Sequence, residues 1–382
     1  MKLIKILGVA IFLLSSFHCS VRETDFLDEN KENLEVVQQP VNLIFFLGDG
    51  MGVNHLKAAS LEYHGEVGQL NMEQMPVSSM VNTSAANRTK ITDSAAGATA
   101  LSTGHKTFNR MVGMTPDGVS KKTILEALKS KGYATGIITT SEITDASPAA
   151  FYAHVEHRYN DDMLIAKQLS NAGVDLIIGA PGTLYDKKGR PTDNINYMKD
   201  LGYDVITNAS QLETHGEGLL LALFDGWGAE QTDLDVFNDP KYPDLKTCVE
   251  KAITILSRNK KGFFLFVEDE GIDTGSHKNL DGFTINRVKH LDDAVASALS
   301  FAQEEAHTLV IVTADHETGG LDAIELPGSK VSIKWTSGRH TPQAVPFFAF
   351  GTGSELFSNN MDNTEVPETI AKALEIEGFP QP

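Results

Sequence analysis

The strongest constraint on the fold is a series of short, wholly apolar runs that alternate with amphipathic segments of helical spacing. The runs are rich in Val, Ile, Leu and Phe, and continuous hydrophobicity of this kind indicates strands that are buried on both faces. They are 42–47, 134–139, 174–178, 219–224, 262–267, 309–313 and 345–350. The helical segments are 121–131, 161–172, 245–258 and 285–305. This alternation predicts an α/β fold, a three-layer sandwich with a large, mostly parallel central sheet and helices on both faces.

The N-terminus has the pattern of an export signal followed by a tether. Residues 1–19 combine the basic Lys2 and Lys5 with an uncharged apolar run that is too short to cross a bilayer. Cys19 follows where lipoprotein signals carry a lipidated cysteine, and ordinary cleavage nearby is the alternative. Residues 20–40 are polar and aperiodic, which predicts a flexible tether. We therefore expect an exported protein, either periplasmic or anchored to a membrane as a lipoprotein.

Residues 41–382 contain no convincing linker and are predicted to form one catalytic domain. Two stretches rich in Gly, Pro, Asp and Asn, 181–215 and 225–244, are interpreted as excursions from the sheet. The formal net charge of −19 disfavours binding to nucleic acid or to anionic lipid surfaces. A phosphate site in such a chain requires local positive charge from metals, arginine or backbone N–H groups.

Acidic residues follow four of the predicted strands directly or after a few residues. They are Asp49, Asp145, Glu268 and Asp315. Ligands of open α/β sheets bind beyond the carboxyl ends of the strands, so these side chains are expected at one edge. Carboxylates gathered there would repel one another unless cations neutralised them.

Histidines lie close to several of these acids in the sequence. His277 ends a segment that begins at Glu268, His316 directly follows an aspartate, and His340 precedes the last predicted strand. Mixed Asp and His ligands suit zinc, whereas carboxylate and hydroxyl oxygens suit magnesium. By contrast, His154 and His157 are three residues apart on a predicted helix and are interpreted as structural.

Residues 92–100, Thr-Asp-Ser-Ala-Ala-Gly-Ala-Thr-Ala, predict a helix that begins at Ser94. A hydroxyl there would lie at the positive end of the helix dipole, where free N–H groups attract phosphate. Asp93 and Ser94 could alternatively be capping residues only. A serine nucleophile needs a base or a metal to ionise it, and the chain has no Gly-x-Ser-x-Gly elbow. A neighbouring metal is the simpler activator.

Taken together, these segments resemble the alkaline phosphatase family from residue 42 to about residue 351. Five segments match in the order of the family, and His340-Thr341 closes the set. The segments are Phe-Leu-Gly-Asp-Gly-Met-Gly at 46–52, Thr-Asp-Ser-Ala-Ala at 92–96, 145–158, 268–277 and Asp-His at 315–316. Each motif is moderately specific, whereas five in order are strong support.

The resemblance implies an alkaline phosphatase that hydrolyses small phosphate monoesters through a covalent phosphoserine. Ser94 would attack phosphorus, and Arg158 would clamp two phosphate oxygens. Two zinc ions and one magnesium ion are implied as cofactors. The implied ligands are Asp273, His277 and His340 for one zinc, Asp49, Asp315 and His316 for the other, and Asp49, Ser147 and Glu268 for magnesium, with Asp145 acting through bound water.

One residue and one segment depart from the family pattern. Thr274 stands where family members often carry Lys or His, which affects the expected pH optimum and phosphate affinity. Only 23 residues separate His316 from His340 in a region that often builds the rim of the site and the dimer contact. We therefore expect a wide, open site with loose leaving-group selectivity, while a homodimer remains what the resemblance implies.

The alternative functions are a phosphodiesterase or another hydrolase of the same superfamily. Diesterases of this fold usually lack the third metal site, for which Asp145, Ser147 and Glu268 are present. A sulfatase is disfavoured because Ser94 does not lie in a Cys/Ser-x-Pro-x-Arg motif. A non-catalytic metal-binding or phosphate-binding lipoprotein would have no need of both Ser94 and Arg158.

Overall fold

A computed structural model describes residues 42–87, 89–228, 230–328 and 330–381. The predicted export signal, the tether and Cys19 lie outside the described residues. The described residues all belong to one compact unit. Within them, no helix is both long enough and apolar enough to span a membrane.

Ten strands form a central sheet that is mostly parallel, and this confirms the predicted fold class. The strands of the described chain are β1 (Asn42–Gly48), β2 (Val77–Asn82), β3 (Ala134–Glu142), β4 (Leu176–Ala180), β5 (Asp204–Ile206), β6 (Leu220–Leu223), β7 (Phe263–Asp269), β8 (Thr308–Thr313), β9 (Glu317–Thr318), β10 (Leu321–Leu326), β11 (Lys330–Trp335), β12 (His340–Thr341), β13 (Val345–Gly351) and β14 (Met361–Asp362). Their order in the sheet is β14-β2-β13-β8-β1-β7-β3-β4-β6-β5. From β8 to β5 all pairings are parallel, whereas β13 runs antiparallel to both of its neighbours.

Helices surround this sheet. They are α1 (Val53–His64), α2 (Ser94–Thr103), α3 (Ile124–Ser130), α4 (Ala146–Ala149), α5 (Asp162–Ala172), α6 (Asp193–Asp200), α7 (Ala209–Thr214), α8 (Leu234–Phe237), α9 (Leu245–Leu256), α10 (Gly271–His277), α11 (Asp281–Glu304) and α12 (Glu365–Ala373). Three short 3₁₀ helices span Met72–Gln74, Gly182–Leu184 and Ser354–Phe357.

The core is centred on β1, which lies between β7 and β8. All seven residues of β1 are buried, as are all seven of β7 and all six of β8. Phe45 of β1 packs on Phe266 of β7, and Phe151 contacts both rings. Continuous apolar sequence thus forms strands covered on both faces, as expected for the centre of a parallel sheet.

The sequence missed several peripheral elements. The three-residue strand β5 lies inside the stretch 181–215 and forms one edge of the sheet, so this stretch is not wholly an excursion. The hairpin of β10 and β11 occupies most of the short segment between His316 and His340. The helix predicted around His154 and His157 is wrong, because the chain there forms turns and an isolated bridge at Val155.

Candidate active site

The site begins at the carboxyl ends of the three central strands. β1 is paired with both β7 and β8, so that Leu47 lies opposite Glu268 on one side and Thr313 on the other. Asp49 follows β1 directly and Asp315 follows β8 by two residues, which brings three of the predicted acidic residues to one edge. All three are buried, with no more than 2% of each residue exposed.

Ser94 opens helix α2, as predicted, and Asp93 caps it. Asp93 accepts hydrogen bonds from the backbone N–H groups of Ala96 (3.0 Å) and Arg110 (2.8 Å). The helix lies so close to the end of β8 that a Cβ atom on Gly97 would be 2.6 Å from the carbonyl oxygen of Asp315. This close approach explains the run of small residues after Ser94 and brings its hydroxyl towards the carboxylates.

Asp273, His277 and His340 form the first cluster that could hold a metal ion. The Nε2 atoms of the two histidines are 3.1 Å apart, and His277 Nε2 is 3.1 Å from the Asp273 carboxylate. Each Nδ1 atom faces a backbone carbonyl oxygen, that of Gly338 for His277 (3.0 Å) and that of Thr92 for His340 (2.8 Å). The carbonyls require Nδ1–H tautomers, so two neutral rings would point their Nε2 lone pairs at each other. A proton on one ring, or a metal ion between the two rings, resolves this conflict.

Asp49, Asp315 and His316 form the second cluster, which is fully buried. His316 Nε2 lies 3.2 Å from Asp315 Oδ2 and 3.5 Å from Asp49 Oδ1. Among the residues that the structure describes, these two carboxylate oxygens have no hydrogen-bond partner. The Thr318 hydroxyl donates to Asp273 and therefore accepts from Nδ1–H of His316 at 3.2 Å. The Nε2 lone pair of His316 consequently faces bare oxygens, which is an arrangement that fits a bound cation.

Burial and mutual repulsion hold several of these carboxyl groups in their protonated forms when no cation is present. Burial, followed by the charge of Asp315, raises the pKa of Asp49 well above its usual value. Burial and the charge of Asp273 raise the pKa of Asp315 to about 7. Burial raises the pKa of Glu268 to about 8, although a hydrogen bond from Thr139 opposes the shift. Neutral acids are poor metal ligands, so metal binding here would release protons.

Two histidines of the clusters shift in opposite directions. The hydrogen bond to Asp273 raises the pKa of His277 to about 9. Burial lowers the pKa of His316 well below its usual value, and the neighbouring His340 adds to the shift. The pKa of Asp273 is lowered because hydrogen bonding to His277 and the nearby histidine charges outweigh its burial.

The residues assigned to magnesium and to phosphate lie beside the second cluster. Ser147, in α4, donates to Asp49 Oδ2 at 3.3 Å, and Glu268 accepts from Thr139. Asp145 caps α4 by accepting from the backbone N–H of Ala146, and it also pairs with the guanidinium of Arg158. The predicted residues are therefore adjacent, and Arg158 already has a carboxylate partner.

A cleft of about 380 Å³ connects these groups with solvent. It is lined by Asp49, Asp93, Ser94, Glu142, Asp145, Arg158, Tyr159, Glu230, Glu270, Asp273, Thr274, His277 and His340. Seven of these residues are acidic, and Arg158 is the single Lys or Arg among the described residues that line it. Such a cleft would repel a phosphate group unless bound cations reversed its charge. Ser94 Oγ lies 3.4 Å from His316 Nε2, within reach of the second cluster.

Glu270 is a cleft residue that sequence reasoning missed. It is buried, and this burial, together with the charges of Asp273 and Asp145, raises the pKa of its carboxyl group. The hydroxyl of Thr274, the residue that departs from the family pattern, donates a hydrogen bond to the Glu270 carboxylate at 2.6 Å. The available signal is its place directly after β7, as the last acid of the Glu-Asp-Glu triplet at 268–270.

The middle acid of that triplet, Asp269, binds the end of β7 to helix α11. It is fully buried and pairs with Arg287 of α11 through hydrogen bonds of 3.0 and 2.7 Å, and with His290 at 3.0 Å. Arg287 is 1% exposed and lies against Gly271, where a Cβ atom would be 2.7 Å from its Nε. This buried ion pair fixes the start of α10, the helix that carries Asp273 and His277.

Comparisons with known proteins agree with this geometry. The family model described as Alkaline phosphatase matches residues 41–332. Alkaline phosphatase 4 of Bacillus subtilis (strain 168) is 30% identical over 454 aligned positions, covering 98% of this chain and 96% of that protein. Alkaline phosphatase of Escherichia coli (strain K12) is 34% identical, covering 72% of this chain and 69% of that protein. The structure of alkaline phosphatase from the Antarctic bacterium TAB5 superimposes with a TM-score of 0.78 at 30% identity, covering 89% of this chain and 100% of that one.

Proposed function

The chain belongs to the alkaline phosphatase family and is a phosphatase, and from this premise we propose that it hydrolyses phosphate monoesters through a phosphoserine at Ser94. One observation carries the proposal. The Ser94 hydroxyl lies 3.4 Å from His316 within a buried Asp-Asp-His cluster, in a cleft that Arg158 also lines. This combines a nucleophile, sites for activating cations and a phosphate clamp in one place.

The family is metal-dependent, and we propose two zinc ions and one magnesium ion for this chain. The Asp-His-His and Asp-Asp-His donor sets suit zinc. The facing Nε2 atoms of the first cluster and the carboxylate oxygens that face His316 Nε2 in the second each fit a cation. Asp49, Ser147 and Glu268, with Asp145 through water, offer the oxygen donors that magnesium prefers. A structure of a TAB5 alkaline phosphatase variant has magnesium bound in its M3 site, which supports this assignment. Bound cations would lower the pKa of the Ser94 hydroxyl and offset the charge on the phosphoryl oxygens.

The residues of the chain then carry two successive displacements at phosphorus. Ser94 Oγ loses its proton and attacks phosphorus in line, the P–O bond to the alcohol breaks, and the alcohol leaves with a proton. Water next attacks the phosphoserine, the Oγ–P bond breaks, and inorganic phosphate leaves while Ser94 regains a proton. Arg158 has five N–H donors, so it can hold two phosphoryl oxygens while it retains a contact to Asp145.

The second candidate function is a phosphodiesterase, and the proposed third metal site argues against it. Ser147 and Glu268 are buried at the edge where Asp49 lies, although a two-metal diesterase needs neither. We would measure hydrolysis of an aryl phosphate monoester and the matching diester with zinc and magnesium, before and after chelation. A large monoester preference that chelation abolishes is expected. A diester preference would move the assignment to the second candidate, and metal-independent activity would refute the role of the clusters.

We also propose that the protein is exported, either to the periplasm or to a membrane through a lipid on Cys19, and that it forms a homodimer. The support is the Lys2, Lys5 and apolar pattern of residues 1–19 and the family resemblance. Fractionation of expressing cells, with mass spectrometry of the mature N-terminus, separates simple cleavage from lipidation. A full-length, cytosolic chain would contradict export, and sedimentation tests the dimer.

A further inference from the structure

Tyr159 places an exposed aromatic ring next to the phosphate clamp. It directly follows Arg158 in the sequence, lines the cleft and is 64% exposed. The guanidinium carbon of Arg158 lies 4.9 Å from the centroid of the Tyr159 ring. Ser94, by contrast, is only 6% exposed at the inner end of the same cleft. The ring therefore lies on the solvent side of the position that a bound phosphoryl group would occupy.

The backbone that carries the ring is held in a tight turn. The backbone N–H of Arg158 donates to the carbonyl of Arg110 at 2.8 Å, and the N–H of Asp161 donates to the carbonyl of His157 at 3.0 Å. The carboxylate of Asp161 in turn accepts from the N–H of His157 at 3.0 Å. The ring packs at 5.9 Å from the His157 imidazole, centroid to centroid. An exposed ring on a fixed turn offers a stacking surface at low entropic cost.

We propose that Tyr159 is a specificity-determining residue that stacks on flat leaving groups and thereby favours aryl and nucleoside monophosphates over alkyl and sugar phosphates. This inference rests on the proposed function. Tyr159 carries the one phenyl ring among the described residues that line the cleft. The other aromatic side chains there are the imidazoles of His277 and His340. The remaining lining offers mostly carboxylates, which have little to attract a flat, uncharged ring system.

The most direct test compares two substrates that release the same kind of alcohol. Adenosine 5′-monophosphate and ribose 5-phosphate both release a primary ribose hydroxyl, and they differ in the presence of the base. We expect Tyr159→Ala to lower kcat/KM for adenosine 5′-monophosphate about fivefold more than for ribose 5-phosphate, which is the range that stacking on one ring provides. Tyr159→Phe should behave like the unaltered protein, because it retains the ring.

The matched control is Tyr197→Ala. Tyr197 is also exposed, at 44%, but it lies on α6 and does not line the cleft. This control should leave the ratio between the two substrates unchanged, and inhibition by inorganic phosphate should be unchanged in Tyr159→Ala.

Three results would overturn the inference. An equal loss on both substrates with weaker phosphate inhibition would mean that Tyr159 acts only by orienting Arg158. Unchanged values on both substrates would mean that the ring does not contact the leaving group. Absence of hydrolysis of an aryl phosphate monoester, adenosine 5′-monophosphate and ribose 5-phosphate alike by the metal-loaded, unaltered protein would instead refute the proposed function, and the inference with it.

Discussion

The metal-free protein should lose stability as the pH rises from about 7 to about 9. In this range the unfolded chain holds almost no protons on its Glu and Asp side chains and loses the last protons from its His side chains, whereas the folded chain retains protons on Glu268 and His277. A group whose pKa is raised in the folded state stabilises it fully at low pH, and this stability is lost as the pH rises through the folded pKa. Asp49, whose pKa is also raised, acts in the same direction.

The size of the effect follows from these shifts. One proton held only by the folded state costs about 1.4 kcal/mol of stability for each pH unit. Glu268, with a pKa of about 8, stays protonated through half of the range and contributes about 1 kcal/mol. His277, with a pKa of about 9, contributes over more of the range, but its side chain is 38% exposed, so we discount it for solvent screening to about 1 kcal/mol. Together they predict a fall of about 2 kcal/mol.

The assay is urea unfolding at about pH 7, 8 and 9, followed by tryptophan fluorescence, in chelator and in excess zinc and magnesium. Coordinated ligands are already deprotonated in the folded state, so the metal-loaded protein should show less than half of the decline. Glu268→Gln is the matched control, because it removes one titrating group and should roughly halve the decline without metal. A metal-free stability that stays constant or rises over this range would refute the assignment of retained protons to Glu268 and His277.

Two further predictions concern the supports of the site. Arg287→Met leaves Asp269 buried and without its main partner, so the free energy of unfolding, measured by urea denaturation, should fall by about 3–5 kcal/mol. A loss below about 1 kcal/mol would contradict the structural role of this pair. Asp93→Ala removes the cap of α2 and the acceptor of the Arg110 N–H, so the free energy of unfolding should fall by about 1–2 kcal/mol in the same assay. Ile91→Ala is the control at an exposed residue nearby, and it should lower the free energy of unfolding by less than about 0.5 kcal/mol.

The centre of the fold and much of the site could be predicted because one physical rule governs both. Strands covered on both faces must be continuously apolar, and β1, β7 and β8 satisfy this requirement over their full lengths. Once they are placed side by side, residues at their carboxyl ends must converge. This rule predicts that Asp49, Glu268 and Asp315 meet at one edge.

The edges of the sheet carry a weaker signal. β2 has the sequence Val-Ser-Ser-Met-Val-Asn and has a single buried residue, while β5 has three residues. Neither contains enough apolar sequence to distinguish a strand from a loop, and both are defined by the neighbours with which they pair. The same reason explains the missed hairpin of β10 and β11.

The buried supports of the site could not be predicted from local pattern. Arg287 lies in the long amphipathic helix α11, where an isolated arginine usually faces solvent. Its burial depends on Asp269, which lies 18 residues away and is itself flanked by two further acids, Glu268 and Glu270. The sequence did not identify Glu270 for a related reason. The alternation of side chains along β7 does not show which of the three consecutive acids lines the cleft.

The most direct test of the central claim is to trap the covalent intermediate. The metal-loaded protein would be incubated with radiolabelled inorganic phosphate, quenched in acid and digested, and the labelled peptide would be identified by mass spectrometry. Label on the peptide that contains Ser94, and none in Ser94→Ala, is the result that a phosphoserine mechanism requires. An unlabelled protein that nevertheless hydrolyses phosphate monoesters would contradict the assignment of Ser94 as the nucleophile.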